Sequence, residues 1–152
     1  MRPPKLALVA SSGGHLAELF ALKDLWESTE RFWVSFPTQD AQYLLADERV
    51  IWASYPTNRN LPNLARNARL ALGVLRRERP DAVISTGAGV GVPFLWAGRL
   101  FGLRTVYVES ITRLGELSLS GRLVYPVVDK FLVQWEGLTK DHPKAEYWGQ
   151  VV

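Results

Sequence analysis

At 152 residues, 47% hydrophobic and 22% charged, the chain has the size and composition of one folded domain, too short for two full ones and too apolar to be disordered. It has no cysteine, which excludes a disulfide framework and thiol catalysis, and its two histidines, His15 and His142, argue against a structural zinc site. The net charge of +3 is unevenly placed: residues 61–79 hold five arginines and one glutamate, net +4, so the rest of the chain sums to −1. Such a single basic patch suits an anionic surface.

The first apolar run, Leu6–Ala10, lies between Pro3-Pro4 and a glycine loop. It is too short for a signal-peptide core or a membrane span, so it reads as a strand, Lys5–Ser11, of a protein expected to stay on the cytoplasmic side with at most peripheral membrane binding. From there the pattern predicts helix His15–Glu27, strand Arg31–Phe36, helix Thr38–Ala46 and strand Arg49–Ser54. It continues with helix Pro62–Arg79, strand Asp81–Thr86, helix Val92–Phe101, strand Leu103–Val108, helix Ser118–Tyr125 and strand Lys130–Gln134. Pro62 and Pro93 suit first helical turns, and Pro80 and Gly102 suit helix ends. The runs LALVA, AVIS and TVYV are apolar throughout, as in strands covered on both faces. The alternation predicts an α/β fold, a Rossmann-like doubly wound parallel sheet, as a single domain over 1–152.

Two glycine loops follow predicted strands one and four: Ser11-Ser12-Gly13-Gly14-His15 and Thr86-Gly87-Ala88-Gly89-Val90-Gly91. In the usual strand order these strands are neighbours at the switch point, so both loops line one crevice. Each leads into a helix N-terminus, which favours an anion, and glycine lets the backbone approach a phosphate. Neither loop has the G-x-G-x-x-G or G-x-x-x-x-G-K-[ST] spacing, which disfavours NAD binding and ATP hydrolysis. A phosphate or diphosphate of another kind fits better.

His15 falls in a first helical turn, where the imidazolium is disfavoured and a neutral ring can act as a base or bond the loop. Glu109 ends the apolar run TVYV, where an acid needs a task or a partner. Catalysis and loop ordering or helix capping both satisfy that need. Ser110, Thr112 and Arg113 follow it as further polar contacts. On a helical wheel Leu61, Leu64, Ala68, Ala71, Leu72 and Leu75 form the expected sheet-facing side of the fourth helix. Leu70 and Val74 fall opposite, beside Arg66, Arg69 and Arg77, a pattern suited to an anionic lipid surface. Residues 145–152, with Tyr147, Trp148, Val151 and Val152, are too apolar for a loose tail and are expected either to close the sheet or to bind a partner.

The segments LALVASSGGHLAEL, PDAVISTGAGVGVPFLWAGRLFG, VYVESITRLGELSLSGRLVYPVVDKFLVQWEGL and YWGQVV span nearly the whole chain in order. They resemble the PssD/CpsF family, bacterial relatives of the membrane-side subunit of the eukaryotic UDP-GlcNAc transferase that adds the second sugar to a dolichol-diphosphate oligosaccharide. More distantly, SSGGH and the strand-five glutamate are similar to MurG. The resemblance implies the N-terminal, acceptor-side half of a split GT-B glycosyltransferase whose donor-binding half is a separate chain. The implied reaction is inverting transfer from a UDP-sugar to a polyprenyl-diphosphate-linked sugar in polysaccharide or oligosaccharide biosynthesis, at the cytoplasmic face of a membrane and without metal, cofactor or nucleic acid. It implies Glu109 and His15 as catalytic candidates. The implied acceptor-diphosphate contacts are Ser11, Ser12, Gly13, Gly14, Thr86, Gly87, Gly89, Ser110 and Arg113. It also favours a partner-binding role for residues 145–152, since a fused enzyme would cross there into its second domain. The sequence departs from the eukaryotic relatives in lacking their N-terminal membrane helix. The competing expectation is a non-catalytic scaffold that recruits and activates the transferase partner.

Overall fold

The computed structural model describes residues 2–151. The strands are β1 (Lys5–Ala10), β2 (Glu30–Ser35), β3 (Val50–Trp52), β4 (Ala82–Gly87), β5 (Arg104–Val108), β6 (Lys130–Val133) and β7 (Ala145–Tyr147). They form one parallel sheet in the order β3-β2-β1-β4-β5-β6-β7. The helices are α1 (Gly14–Ala21), α2 (Lys23–Trp26), α3 (Gln39–Leu44), α4 (Leu61–Glu78), α5 (Gly91–Leu100) and α6 (Leu119–Val124). The order reverses between β1 and β4, as expected, so the loops after these strands diverge from one point.

Alternation along β1 sorts the two faces. Leu6, Leu8 and Ala10 pack with Leu16, Leu19, Trp26, Trp33 and Ala41, so α1–α3 cover that side. Ala7 and Val9 pack with Ala71, Val74, Phe94, Leu95 and Val124, so α4–α6 cover the other. The first face is covered thickly over the early strands and more thinly over the later ones. Over β4–β6 it keeps an apolar cavity of about 340 Å³ floored by Ile84, Val106, Val108 and Leu132, with Leu22, Leu25 and residues 148–151 at its walls.

The structure departs from the expected elements in places. The predicted helix His15–Glu27 breaks at Leu22, and the break turns Trp26 inward. There its indole donates to Leu19 O at 3.1 Å and its ring meets Trp33 edge-on at 5.2 Å.

The fourth helix is rotated from the predicted wheel. Its buried residues are Asn63, Asn67, Ala71, Val74 and Leu75. The asparagines face inward because the β3–α4 segment needs backbone partners. Asn67 accepts from Ser54 N and donates to Ser54 O, both at 2.9 Å, and Asn63 donates to Pro56 O at 2.7 Å. Val74, expected at a lipid surface, is only 1% exposed, and Leu70 packs against the core. Leu61, Leu64 and Leu72 face outward instead.

The C-terminal segment supplies β7, which pairs with β6. Val151 N donates to Gln134 Oε1 at 2.9 Å, while Trp148 stays 68% exposed. Val152 lies outside the described residues.

Candidate functional site

Three loops meet at the carboxyl edge of β1, β4 and β5. In the first, His15 opens α1. Its Nδ1 lies 3.1 Å from Thr86 O. A carbonyl can only accept, so Nδ1 carries a proton, and the neutral form of the ring is the tautomer with its lone pair on Nε2. Nε2 has no hydrogen-bond partner among the described residues. The Thr86 hydroxyl returns the contact by donating to His15 O. Thr86 thus holds the side chain and the backbone of one residue and ties the first glycine loop to the second.

Gly87 has to lack a side chain here: at φ +125° a β-carbon would sit 3.0 Å from His15 Nδ1 and 3.2 Å from the Tyr107 hydroxyl. Gly89 is covered by Thr57, whose Oγ1 would lie 2.8 Å from a β-carbon.

The first loop is partly occupied by the protein itself. Gly13 N donates to Asp40 Oδ2 at 2.8 Å, and the Thr38 hydroxyl donates to Asp40 Oδ1 at 2.7 Å. These bonds, Thr38's first, hold the Asp40 carboxyl below its usual range. Gly13 N–H is therefore not free for a phosphate, contrary to the expected contact. Ser11 is buried and Ser12 half-buried. Gly14 is exposed, and a β-carbon there would meet nothing within 4 Å.

Glu109 does not face the crevice. It is 0% exposed. Oε2 accepts from Ser118 N at 2.9 Å and Oε1 from Ser110 N at 3.1 Å. The Ser118 hydroxyl donates at 2.9 Å to both oxygens, and the Tyr107 hydroxyl lies 3.3 Å from Oε1. Ser118 in turn caps α6 by accepting from Gly121 N at 3.0 Å. A β-carbon at Gly121 would overlap Oε2. Fully buried and engaged by donors on both oxygens, Glu109 orders its loop and anchors α6 instead of facing the crevice where a base was expected. Burial, reinforced by the Glu109 charge, pushes the Tyr107 phenol far up, so Tyr107 stays a neutral donor.

Of the other expected contacts, Ser110 is buried, with its hydroxyl 3.0 Å from Thr112 Oγ1, and Arg113 is exposed at the loop's outer turn. Thr57, Asp40, Tyr107 and Ser118 were not foreseen. Ser118 alone had a readable signal, as the polar residue opening a predicted helix.

Away from the crevice, α4, α5 and α6 share one side of the sheet and expose apolar residues along it. Leu61 is 75%, Leu100 72% and Leu119 72% exposed, and Leu64, Leu72, Trp96 and Leu123 are exposed as well. Arg66, Arg69 and Arg77 line a shallow depression on α4. Among the described residues, no helix is long and apolar enough to cross a membrane.

Comparison with known proteins returns a consistent set. The family described as "Oligosaccharide biosynthesis protein Alg14 like" matches residues 63–151. The chain is 26% identical to the UDP-N-acetylglucosamine transferase subunit ALG14 of Candida albicans, over 97% of this chain and 78% of that protein. It is 28% identical to the protein of the same name from Yarrowia lipolytica, over 98% and 82%, and 37% identical to the human one over 55% and 41%. Among solved structures, MurG of Acinetobacter baumannii superposes with a TM-score of 0.81 at 16% identity, over 99% of this chain and 46% of that one. A UDP-N-acetylglucosamine 2-epimerase of Rickettsia bellii gives 0.76 at 13%, over 99% and 46%. The structural likeness establishes the Rossmann-like fold of GT-B halves, and the chain spans just under half the length of either protein.

Proposed function

Because the chain belongs to the family of Alg14-like oligosaccharide biosynthesis proteins, we propose that it is the acceptor-side subunit of a two-chain inverting glycosyltransferase, active only with a donor-binding partner. Its relatives are named as subunits of a UDP-N-acetylglucosamine transferase, so UDP-N-acetylglucosamine is the donor to try first. The acceptor is a polyprenyl-diphosphate-linked sugar. Assignment to the PssD/CpsF branch is a finer reading that rests on the sequence resemblance.

One observation carries the chemistry: the Thr86 carbonyl fixes His15 as the Nδ1–H tautomer and leaves Nε2 as an acceptor. In the proposed reaction Nε2 takes the proton of the acceptor hydroxyl as that oxygen attacks the anomeric carbon of the UDP-sugar. The bond to UDP breaks, and the partner chain stabilises the departing nucleotide. Gly14, with open space above it, and the exposed Arg113 receive the acceptor's diphosphate.

The more thinly covered part of the sheet face suits the partner. Its apolar cavity, bounded by Trp148 and Val151, receives an apolar segment of the donor-binding chain. The outward leucines of α4–α6 and the arginines Arg66, Arg69 and Arg77 on α4 support docking of this side on an anionic membrane surface.

The deciding experiment is transfer of radiolabelled sugar to a polyprenyl-diphosphate acceptor by this chain alone, by the partner alone and by the co-expressed pair. Transfer is expected only from the pair. Turnover by this chain alone overturns the split-enzyme reading, and full activity of a His15→Ala pair supports the scaffold alternative.

A further inference from the structure

Glu18 has no part in the chemistry above, yet its placement is costly. It is buried, and its Oε2 is enclosed without a hydrogen-bond partner. Packing alone gives no reason for a carboxylate among the buried Leu16 and Leu19 of α1. Its other oxygen has a specific use. Oε1 accepts from Ile111 N at 3.0 Å, with the Ser110 hydroxyl at 3.5 Å, so α1 is tied to the loop after β5.

The neighbouring carbonyls of this loop are held as well. Trp135 Nε1 donates to Ile111 O at 2.6 Å, and Gln134 Nε2 donates to Glu109 O at 3.0 Å. Beyond this clamp the chain turns back, with Thr112 N donating to Ser110 Oγ at 3.2 Å and Arg113 N to Ser110 O at 3.0 Å. The direction of the exposed Arg113 therefore depends on how Ile111 is held. Glu18 also stands three residues after His15, so the two share one side of a short helix. His15 latches α1 to the end of β4, and Glu18 latches it to the loop after β5.

We propose that Glu18 is a positioning residue. It makes α1 a common strut that fixes the Ser110–Arg113 loop relative to His15, and so sets how the lipid-linked acceptor's diphosphate is engaged. The proposal rests on the acceptor-side reading above.

The test uses the co-expressed pair with Glu18→Ala, Glu18→Asp and Glu18→Gln. Ala has no acceptor and Asp falls short of Ile111 N–H, so both should raise the acceptor KM about 10- to 10²-fold while leaving the donor KM unchanged. Gln keeps a carbonyl oxygen for Ile111 N–H and should stay within about threefold of the parent. Hydrogen exchange of the Ile111 and Arg113 amides, read on this chain without any assay of transfer, should accelerate in the Ala and Asp variants and recover with Gln. Should Glu18→Ala fail to fold, the Asp and Gln variants decide. Unchanged exchange in the Ala and Asp variants overturns the proposal. So does an equal rise in both KM values, or a Gln variant as impaired as Asp. A parent pair without transfer counts against the acceptor-side reading instead, and the exchange rates then decide the loop-holding role by themselves.

Discussion

Thr86 holds His15 twice, through its carbonyl to the ring Nδ1 and through its hydroxyl to the backbone carbonyl. The pair joins residues 71 positions apart and fixes the tautomer on which a base at this site depends. Replacing His15 by Ala should lower turnover of the proposed two-chain enzyme by about 10²–10⁴-fold. Thr86→Val keeps the carbonyl and loses only the hydroxyl bond, so it should destabilise by about 1 kcal/mol. Paired turnover and melting measurements check both; a Thr86→Val variant as inactive as His15→Ala would mean that the hydroxyl has a direct role.

Glu109 is an acceptor surrounded by donors, so the expected effect of Glu109→Gln falls on stability. The amide NH₂ would face Ser118 N–H or Ser110 N–H, leaving a buried donor unpaired at a cost of about 1–3 kcal/mol. For a chain of this length that lowers the Tm by roughly 2–4 °C per kcal/mol. An unchanged Tm with lost turnover would return Glu109 to the role of base.

Gly14 and Gly89 separate ligand space from packing. At Gly14 an added methyl meets nothing in the protein, so Gly14→Ala should leave the Tm unchanged while weakening acceptor binding. At Gly89 the methyl meets Thr57, so Gly89→Ala should lower the Tm. Full transfer activity of Gly14→Ala would exclude close acceptor approach there.

The opposite end of the sheet predicts an acid limb. Glu78 is bonded by Arg49 and by Lys5, whose Nζ lies 2.9 Å away, and its carboxyl is lowered to about 2, the Arg49 bond being the largest cause. The folded chain thus holds the ionised form more tightly than the unfolded chain does. That stability is present above the unfolded value of 4.5 and is lost as pH falls from there towards 2. Urea midpoints measured across this window should fall for the parent and fall less steeply for Glu78→Gln.

The outward leucines give a membrane test. Leu61→Glu with Leu100→Glu should reduce co-sedimentation with anionic vesicles, and Arg66→Glu with Arg77→Glu should reduce it in a salt-sensitive way. Val74→Ala should instead lower stability, because Val74 lies in the core. Equal recovery with neutral and anionic vesicles counts against the surface.

Strand order and loop positions were legible because they follow from apolar runs punctuated by glycine. The face of α4 was not. Hydropathy ranks Leu61, Leu64 and Leu72 inward, but the backbone of Ser54 and Pro56 needs partners, and Asn63 and Asn67 supply them. The break at Leu22 has no glycine or proline to announce it and follows from the packing of Trp26. Glu109 showed that an acid was needed at the end of its strand. Which need it met depended on Ser118, nine residues further on and brought beside it only by the fold.

The apolar cavity over β4–β6 has a consequence for the life of the protein in a cell. Copies made in excess of whatever covers it would carry an apolar cleft in the open, a surface that promotes association and draws chaperones and proteases. Its abundance should therefore follow that of the covering element, and overproducing this chain alone should give aggregation or rapid turnover where balanced co-production gives accumulation.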